Sequence, residues 1–346
     1  MEQKAKRGFS PTELFWIIAP ILAALLFTSL LLLAVGAAPL QAFVEILKGA
    51  LESPQKWADV ATAWVPLALV GAGMSLTFAA GLWNIGAEGQ IILGAIFATW
   101  VARNLGLPPT LLLALIVLAG MLGGALWGLL TGTLRVYARV HEIFAGLGLN
   151  FVATALVIWL IFNPWKPARG ATMSGTEPFP PAAWVPRLGS TRLAPLSIVL
   201  TVACVLLAYL LLKGTRFGLE LRAMGKNMRA AYLQGVPTQR HMLSAFVLCG
   251  AMAGLAGAIQ ATAVYHRLIP RISGGFGYTG MLVVLLANYR PELVPAVALF
   301  FAAIGVGSPR LELNMQLDAS LGGVLEGSVV LFVLLASGLR KKLGRE

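Results

Sequence analysis

Long apolar stretches punctuated by short polar ones set the pattern of this chain, and a membrane-spanning helix needs about 20 such residues. Stretches of that kind are read at residues 14–36, 61–81, 84–101, 109–134, 143–163, 194–212, 242–264, 276–289, 292–307 and 318–338. The pattern predicts an all-α, polytopic membrane protein with about ten transmembrane helices, forming a single domain over residues 1–346. The eighth and ninth stretches are short, and one of them is expected to be a half-helix or a re-entrant segment. The second and third follow each other with almost no loop. The polar, glycine-rich string WNIGAEGQ at 83–90 is therefore itself the turn, a predicted broken-helix region near residues 82–90.

Polar groups inside this pattern are the candidate site. Glu88 stands between two uncharged stretches, and an ionised acid at mid-membrane costs about 2.5–3.5 kcal/mol on insertion scales, so such residues normally face a bundle interior or a water-filled path. Two readings stand for Asn84, Glu88 and Gln90: they line a solute path, or they cap the amides and carbonyls of the helix break. Asn150, early in the fifth stretch, faces the path or makes an interhelical hydrogen bond. Glu326, in the tenth, is either a functional ionisable group or a neutral carboxyl bonded to a neighbouring helix. Trp83 stacks on a flat ring of a solute or serves as apolar packing. The loop count places the break towards the inner half of the bilayer, which lowers the cost of Glu88.

Composition confirms the class: the chain is 58% hydrophobic and 12% charged, against about 25% charged in soluble domains. The net charge of +12 reads as a topological excess of Lys and Arg in inner loops, and not as a nucleic-acid surface. Of the 26 Lys and Arg residues, 16 fall on the side holding both termini and the loop 213–240, and 10 on the other. Both termini are thus expected in the cytoplasm, with the spans surrounded by membrane lipid. Residues 164–193, rich in proline with Trp165 and Trp184, suit an external surface loop. Residues 214–241 form a basic cytoplasmic loop with one short helix from Asn227 to about Gln234, ended by Gly235 and Pro237 and projecting Met228, Tyr232 and Leu233 outward.

Several features read as structure alone. Gly120, Gly124, Gly128 and Gly132 recur every fourth residue, so they line one helix face and admit a close neighbour; Gly250, Gly254 and Gly257 read the same way. Cys204 and Cys249 are small core residues, and Glu142 with Arg135 and Arg139 reads as a cytoplasmic surface pair. Residues 218–226 lack the spacing and the Ser or Thr of a phosphate loop. The three scattered histidines argue against a metal cluster or a catalytic relay. No Lys or Arg lies in mid-span, which suits a neutral polar solute. A proton-coupled secondary transporter using Glu88 and Glu326 is the competing class, since buried carboxylates are the usual relay groups. An intramembrane enzyme is a third, without a nucleophile and base at one depth.

The string NIGAEGQ resembles the permease subunits of bacterial ABC importers for nucleosides and simple sugars, in the ribose-permease-like superfamily, and points to the nucleoside branch. HEIFAGLGLNFVA at 141–153, ELRAMGKNMRAAYLQGV at 220–236 and SAFVLCGAMAGLAGAI at 244–259 are similar to further segments of that family, the second to its cytoplasmic coupling segment. The region 305–323 departs from the more glycine- and alanine-rich link of relatives. The resemblance implies a transport subunit and no enzyme, importing a nucleoside or, as an alternative, a ribose-like sugar. It implies a second permease, sister or identical, an extracytoplasmic solute-binding lipoprotein, and a partner ATPase that binds ATP and Mg, this chain holding no cofactor. Gly225, Asn227, Arg229, Ala230, Ala231, Tyr232 and Gly235 are then the ATPase-coupling residues.

Overall fold

The computed structural model describes residues 11–168 and 175–342, and all regular structure among them is helical. In chain order the helices are α1 (Pro11–Ala34), α2 (Pro39–Leu51), α3 (Pro54–Ala79), α4 (Ala87–Asn104), α5 (Pro109–Val136), α6 (Glu142–Phe162), α7 (Pro195–Gly214), α8 (Arg216–Lys226), α9 (Met228–Leu233) and α10 (Thr238–Ile259). A π-helical segment (Gln260–Tyr265) extends α10, and α11 (Phe276–Leu286), α12 (Val294–Gly307), α13 (Pro309–Met315) and α14 (Leu321–Lys342) follow. The chain divides into two compact units, one made of 1–57 with 300–346 and one of 58–299.

The larger unit is organised around α4, α5 and α10, which meet backbone to backbone. The glycines spaced by four on α5 face α10: a Cβ on Gly124 would sit 2.1 Å from the Gly250 carbonyl oxygen, and one on Gly254 2.2 Å from that of Gly120. Gly257 closes on α4 in the same way, 2.0 Å from the Ile91 oxygen. Small residues at these positions let dispersion contacts replace the hydrophobic drive that lipid does not supply. In the smaller unit α1 packs on α14, with Phe27 and Phe332 rings 5.9 Å apart.

The structure corrects the span count. Seven helices are long and apolar enough to cross a membrane, and eight if the bent pair α1 and α2 counts as one span. Three of the ten predicted stretches do not qualify alone, the first being 14–36, which became α1 and counts only as a bent pair with α2. The stretch at 84–101 became α4, buried along most of its length and polar at both ends through Glu88, Gln90, Arg103 and Asn104. The stretch at 276–289 became α11, whose 11 residues reach about 17 Å, half a bilayer. It is the half-helix expected among the two short stretches.

The proline-rich loop 164–193 is more than a surface. Residues 169–174 of it lie outside the described residues, as do both chain ends, but Phe179 and Ala183 are fully buried in the core beside α4, α5 and α6. The loop 214–241 holds α8 as well as the predicted short helix. Thr215 caps α8 by accepting from Gly218 N at 3.1 Å, and Asn227 caps α9 by accepting from Ala230 N at 3.0 Å.

Candidate functional site at a broken helix

The break begins where α3 ends. Leu82 N donates to Thr77 O at 2.9 Å across Gly81, whose φ of +75° closes the helix with the left-handed residue that glycine adopts without penalty. The chain then runs without helix to Gly86, and AEGQ, the second half of the motif, opens α4. Asn84 and Gln90 clasp each other across the gap. Asn84 Nδ2 donates to Gln90 Oε1 at 3.0 Å and Gln90 Nε2 returns a bond to Asn84 Oδ1 at 3.2 Å, both residues fully buried. Asn84 Nδ2 also reaches Cys249 Sγ of α10 at 3.0 Å.

Asn150 of α6 staples the break from the side. Its Nδ2 donates to Ile85 O at 3.0 Å, and its Oδ1 accepts from Gly89 N at 2.9 Å, one group on each side of the turn into α4. The helix carrying it comes close because Gly146 meets Gly86, where a Cβ would lie 2.6 Å from the backbone nitrogen. Asn150 Nδ2 also donates to Tyr278 Oη at 3.3 Å. Beside Gly89, Trp127 Nε1 is buried and without a hydrogen-bond partner among the described residues.

Glu88 caps a second helix. Its Oε1 accepts from Gly275 N at 3.1 Å and its Oε2 from Gly277 N at 2.8 Å, so the carboxylate sits on the amino end of α11. Free amides and the positive end of a helix dipole favour a negative charge at that place, which offsets the desolvation of a residue only 7% exposed. A Cβ on Gly277 would fall 2.5 Å from Glu88 N. The amino ends of α4 and of the half-helix α11 therefore meet at one carboxylate. Sequence reading missed Gly275, Gly277, Tyr278 and Cys249 as members of this cluster; the run Gly274, Gly275, Gly277 before Tyr278 is the signal that marks the close approach.

Trp83 is partly exposed and packs edge to face on Phe78 at 5.1 Å, while Phe78 stacks on Tyr289 at 5.2 Å. Its backbone N donates to Glu142 Oε1 at 3.4 Å. Glu142 is 3% exposed with Arg135 Nε 3.0 Å from its Oε2. That corrects the surface pair: the carboxylate is drawn in because it holds the break, and Arg139 is left exposed in the turn. Trp83, Asn84, Glu88, Gln90 and Asn150 thus come together. Glu326 belongs to the smaller unit, half-buried on α14, where no hydrogen bond or ion pair reaches its carboxyl among the described residues.

Of the residues expected to couple to an ATPase, Arg229, Ala230, Tyr232 and Gly235 are exposed and Ala231 is buried against the body; Met228, expected to project outward, packs inward with Ala231 instead. Gly235, with φ +85°, ends α9. Gly225 is wedged against the end of α3, where a Cβ would lie 2.2 Å from the Ala79 oxygen. Glu220 ties α8 to α10, its carboxylate 2.7 Å from Arg216 Nε and 2.8 Å from His241 Nε2. The bond from Arg216, and the nearby His241, hold it below the usual carboxylate range.

The chain is similar in sequence to known permeases. The chain is 33% identical over 92% of its length to a glucose ABC transporter permease protein of Haloferax volcanii, covering 86% of that protein. It is 26% identical to a guanosine ABC transporter permease protein of Bacillus subtilis, over 81% of each chain. With a nucleoside ABC transporter permease protein of Lactococcus lactis it shares 23% identity over 92% of this chain and 90% of the other. This membership removes the proton-coupled and enzymatic alternatives and makes the chain a transport subunit. Residues 56–334 match the family described as branched-chain amino acid transport system, permease component, and the chain belongs to that family of ABC transporter permeases.

Proposed function

We propose that this chain forms the membrane path of an ATP-driven importer for a neutral, hydroxyl-rich solute, a nucleoside in the first reading. The observation that carries it is the contact between Gly225 and the Ala79 to Gly81 corner. It joins an exposed surface, Arg229, Tyr232 and Leu233 on α9, to the end of the helix whose break holds the polar cluster. A partner ATPase, implied by the family, binds ATP and Mg and docks on α9 from the cytoplasm. Closure of that partner pushes α8 and α9 against the corner, and the break at 80–86 transmits the movement to α4 and α11. A second permease completes the path, and an extracytoplasmic binding protein delivers the solute.

Neutrality of the solute is supported by the cluster itself. The charge of Glu88 is taken up by two backbone amides, the amides of Asn84 and Gln90 by each other, and no Lys or Arg contacts any of them among the described residues. Hexose is the second reading, favoured by the glucose permease relative. Reconstitution with the ATPase and the binding protein, followed by solute-stimulated ATP hydrolysis and labelled uptake, decides between them: stimulation by nucleoside and none by glucose supports the first, and the reverse establishes the second. In the same assay Arg229→Glu with Tyr232→Glu abolishes coupled uptake while the protein stays folded; normal uptake by that variant overturns docking on α9.

A further inference from the structure

The chain leaves α1 through Gly36, at φ +78°, and enters α2 at 110° to the preceding helix. A helix set nearly crosswise to one that spans a bilayer runs along the membrane surface. Its inner face carries Ala42, Ile46, Gly49 and Ala50, and a Cβ on Gly49 would come 2.6 Å from the Gly307 oxygen. Its charges are satisfied within the same unit. Glu45 accepts from Arg310 Nε at 2.8 Å and from Asn314 Nδ2 at 2.6 Å, and lies 3.3 Å from Lys48 Nζ, while Arg310 also pairs with Glu52.

The outer face is apolar. Leu40, Val44, Leu47 and Leu51 recur at helical spacing and are 39–78% exposed. Just beyond them Trp57 is exposed, its Nε1 donating to Leu51 O at 2.6 Å. The stripe is also continuous with the exposed apolar surface of the preceding helix: Leu22, Leu26, Leu30 and Leu33 are exposed along α1, Val35 is exposed at the corner, and no charged residue occurs from 14 to 44.

We propose that α2 is an interfacial helix whose Leu40, Val44, Leu47 and Leu51 sit among acyl chains just below the headgroups, with Trp57 at headgroup level, so that lipid covers this face. An amphipathic helix with an unbroken apolar stripe and an interfacial tryptophan fits that boundary, and the clamp from Arg310 holds α13 to its protein-facing flank. This assignment does not depend on the identity of the solute.

The test uses the full chain in liposomes, in a Cys204→Ala background that leaves only the buried Cys249. Nitroxide labels on Leu40→Cys, Val44→Cys, Leu47→Cys and Leu51→Cys, with Gln41→Cys and Gln55→Cys as exposed polar references, are read by power saturation against oxygen and a water-soluble nickel chelate. The expected result is an oxygen-to-nickel accessibility ratio several-fold higher at the four stripe positions than at the two references. A stripe more open to nickel faces water, and a stripe closed to both reagents is covered by protein, either a second permease or a binding protein; each of these outcomes overturns the proposal.

Discussion

A carboxylate buried beside two backbone amides is an anion with a built-in counter-charge, and this decides how Glu88 responds to change. Glutamine keeps the shape but turns one acceptor into a donor that faces Gly275 N or Gly277 N. Hydrogen bonds to a charged group contribute about 1.5–3 kcal/mol, so Glu88→Gln should lower stability by roughly that amount. The expected outcome is a lower thermal midpoint of the purified protein together with slower uptake. If the midpoint falls and uptake per folded molecule does not, Glu88 acts on the helix ends alone. Tyr278 sits close by with Oη already accepting from Asn150, which leaves its own proton to donate, and it is 43% exposed. Its hydroxyl is a polar group of the cluster on a side chain partly open to the outside of this chain.

Helices that touch through glycine tolerate no added carbon. Gly124→Ala would place a methyl 2.1 Å from the Gly250 oxygen, and forcing a seam of this kind apart typically costs about 1–3 kcal/mol; a thermal midpoint lowered accordingly is the expected reading. This seam was legible because a spacing of four keeps small residues on one face, and α9 was legible because Asn227 caps it and Gly235 with Pro237 stops it. The break itself was legible as a polar string between apolar ones. Its long-range partners were not, since the Gly275 bond to Glu88 spans 187 residues and no local pattern encodes it. The helices α2, α8 and α13 escaped for another reason: they are too short or too polar to read as spans. The clamp on α8 adds a pH dependence. The pKa of Glu220 is depressed in the folded state, so its contribution is present above the unfolded carboxylate value near 4.3 and is lost as pH falls through the lower folded value. Backbone hydrogen exchange in α8, corrected for intrinsic rates, should therefore be faster in Glu220→Gln than in the wild type at pH 7, and the difference should close on acidification below about pH 4.

Across the larger unit, α10 with its π-helical extension is a single path of 28 residues from Thr238 to Tyr265, about 42 Å long. At one end it follows α9 after four residues, 234–237, and Glu220 pins it to α8. At the other the π segment leaves carbonyls without helical partners, and the proline-rich loop supplies them. Val185 N donates to Thr262 O at 3.3 Å, Arg187 Nε and Nη2 reach Ala263 O at 3.2 and 3.0 Å, and Arg187 Nη2 reaches Val264 O at 3.1 Å. Beyond the helix, Phe179 N donates to His266 O at 2.8 Å, and Trp184 stacks on the His266 ring at 4.2 Å. A rod fastened at both ends carries a displacement from one to the other, whereas a rod with a frayed end absorbs it. Arg187→Ala removes the charge-assisted bonds to the π segment and should raise hydrogen exchange over 262–268 while leaving α9 unchanged. Should α10 transmit the motor stroke, solute-stimulated ATP hydrolysis in the reconstituted transporter falls several-fold in this variant with basal hydrolysis intact. Stimulation that persists despite the frayed end would mean that the stroke travels instead through the Gly225 contact with α3 and the break.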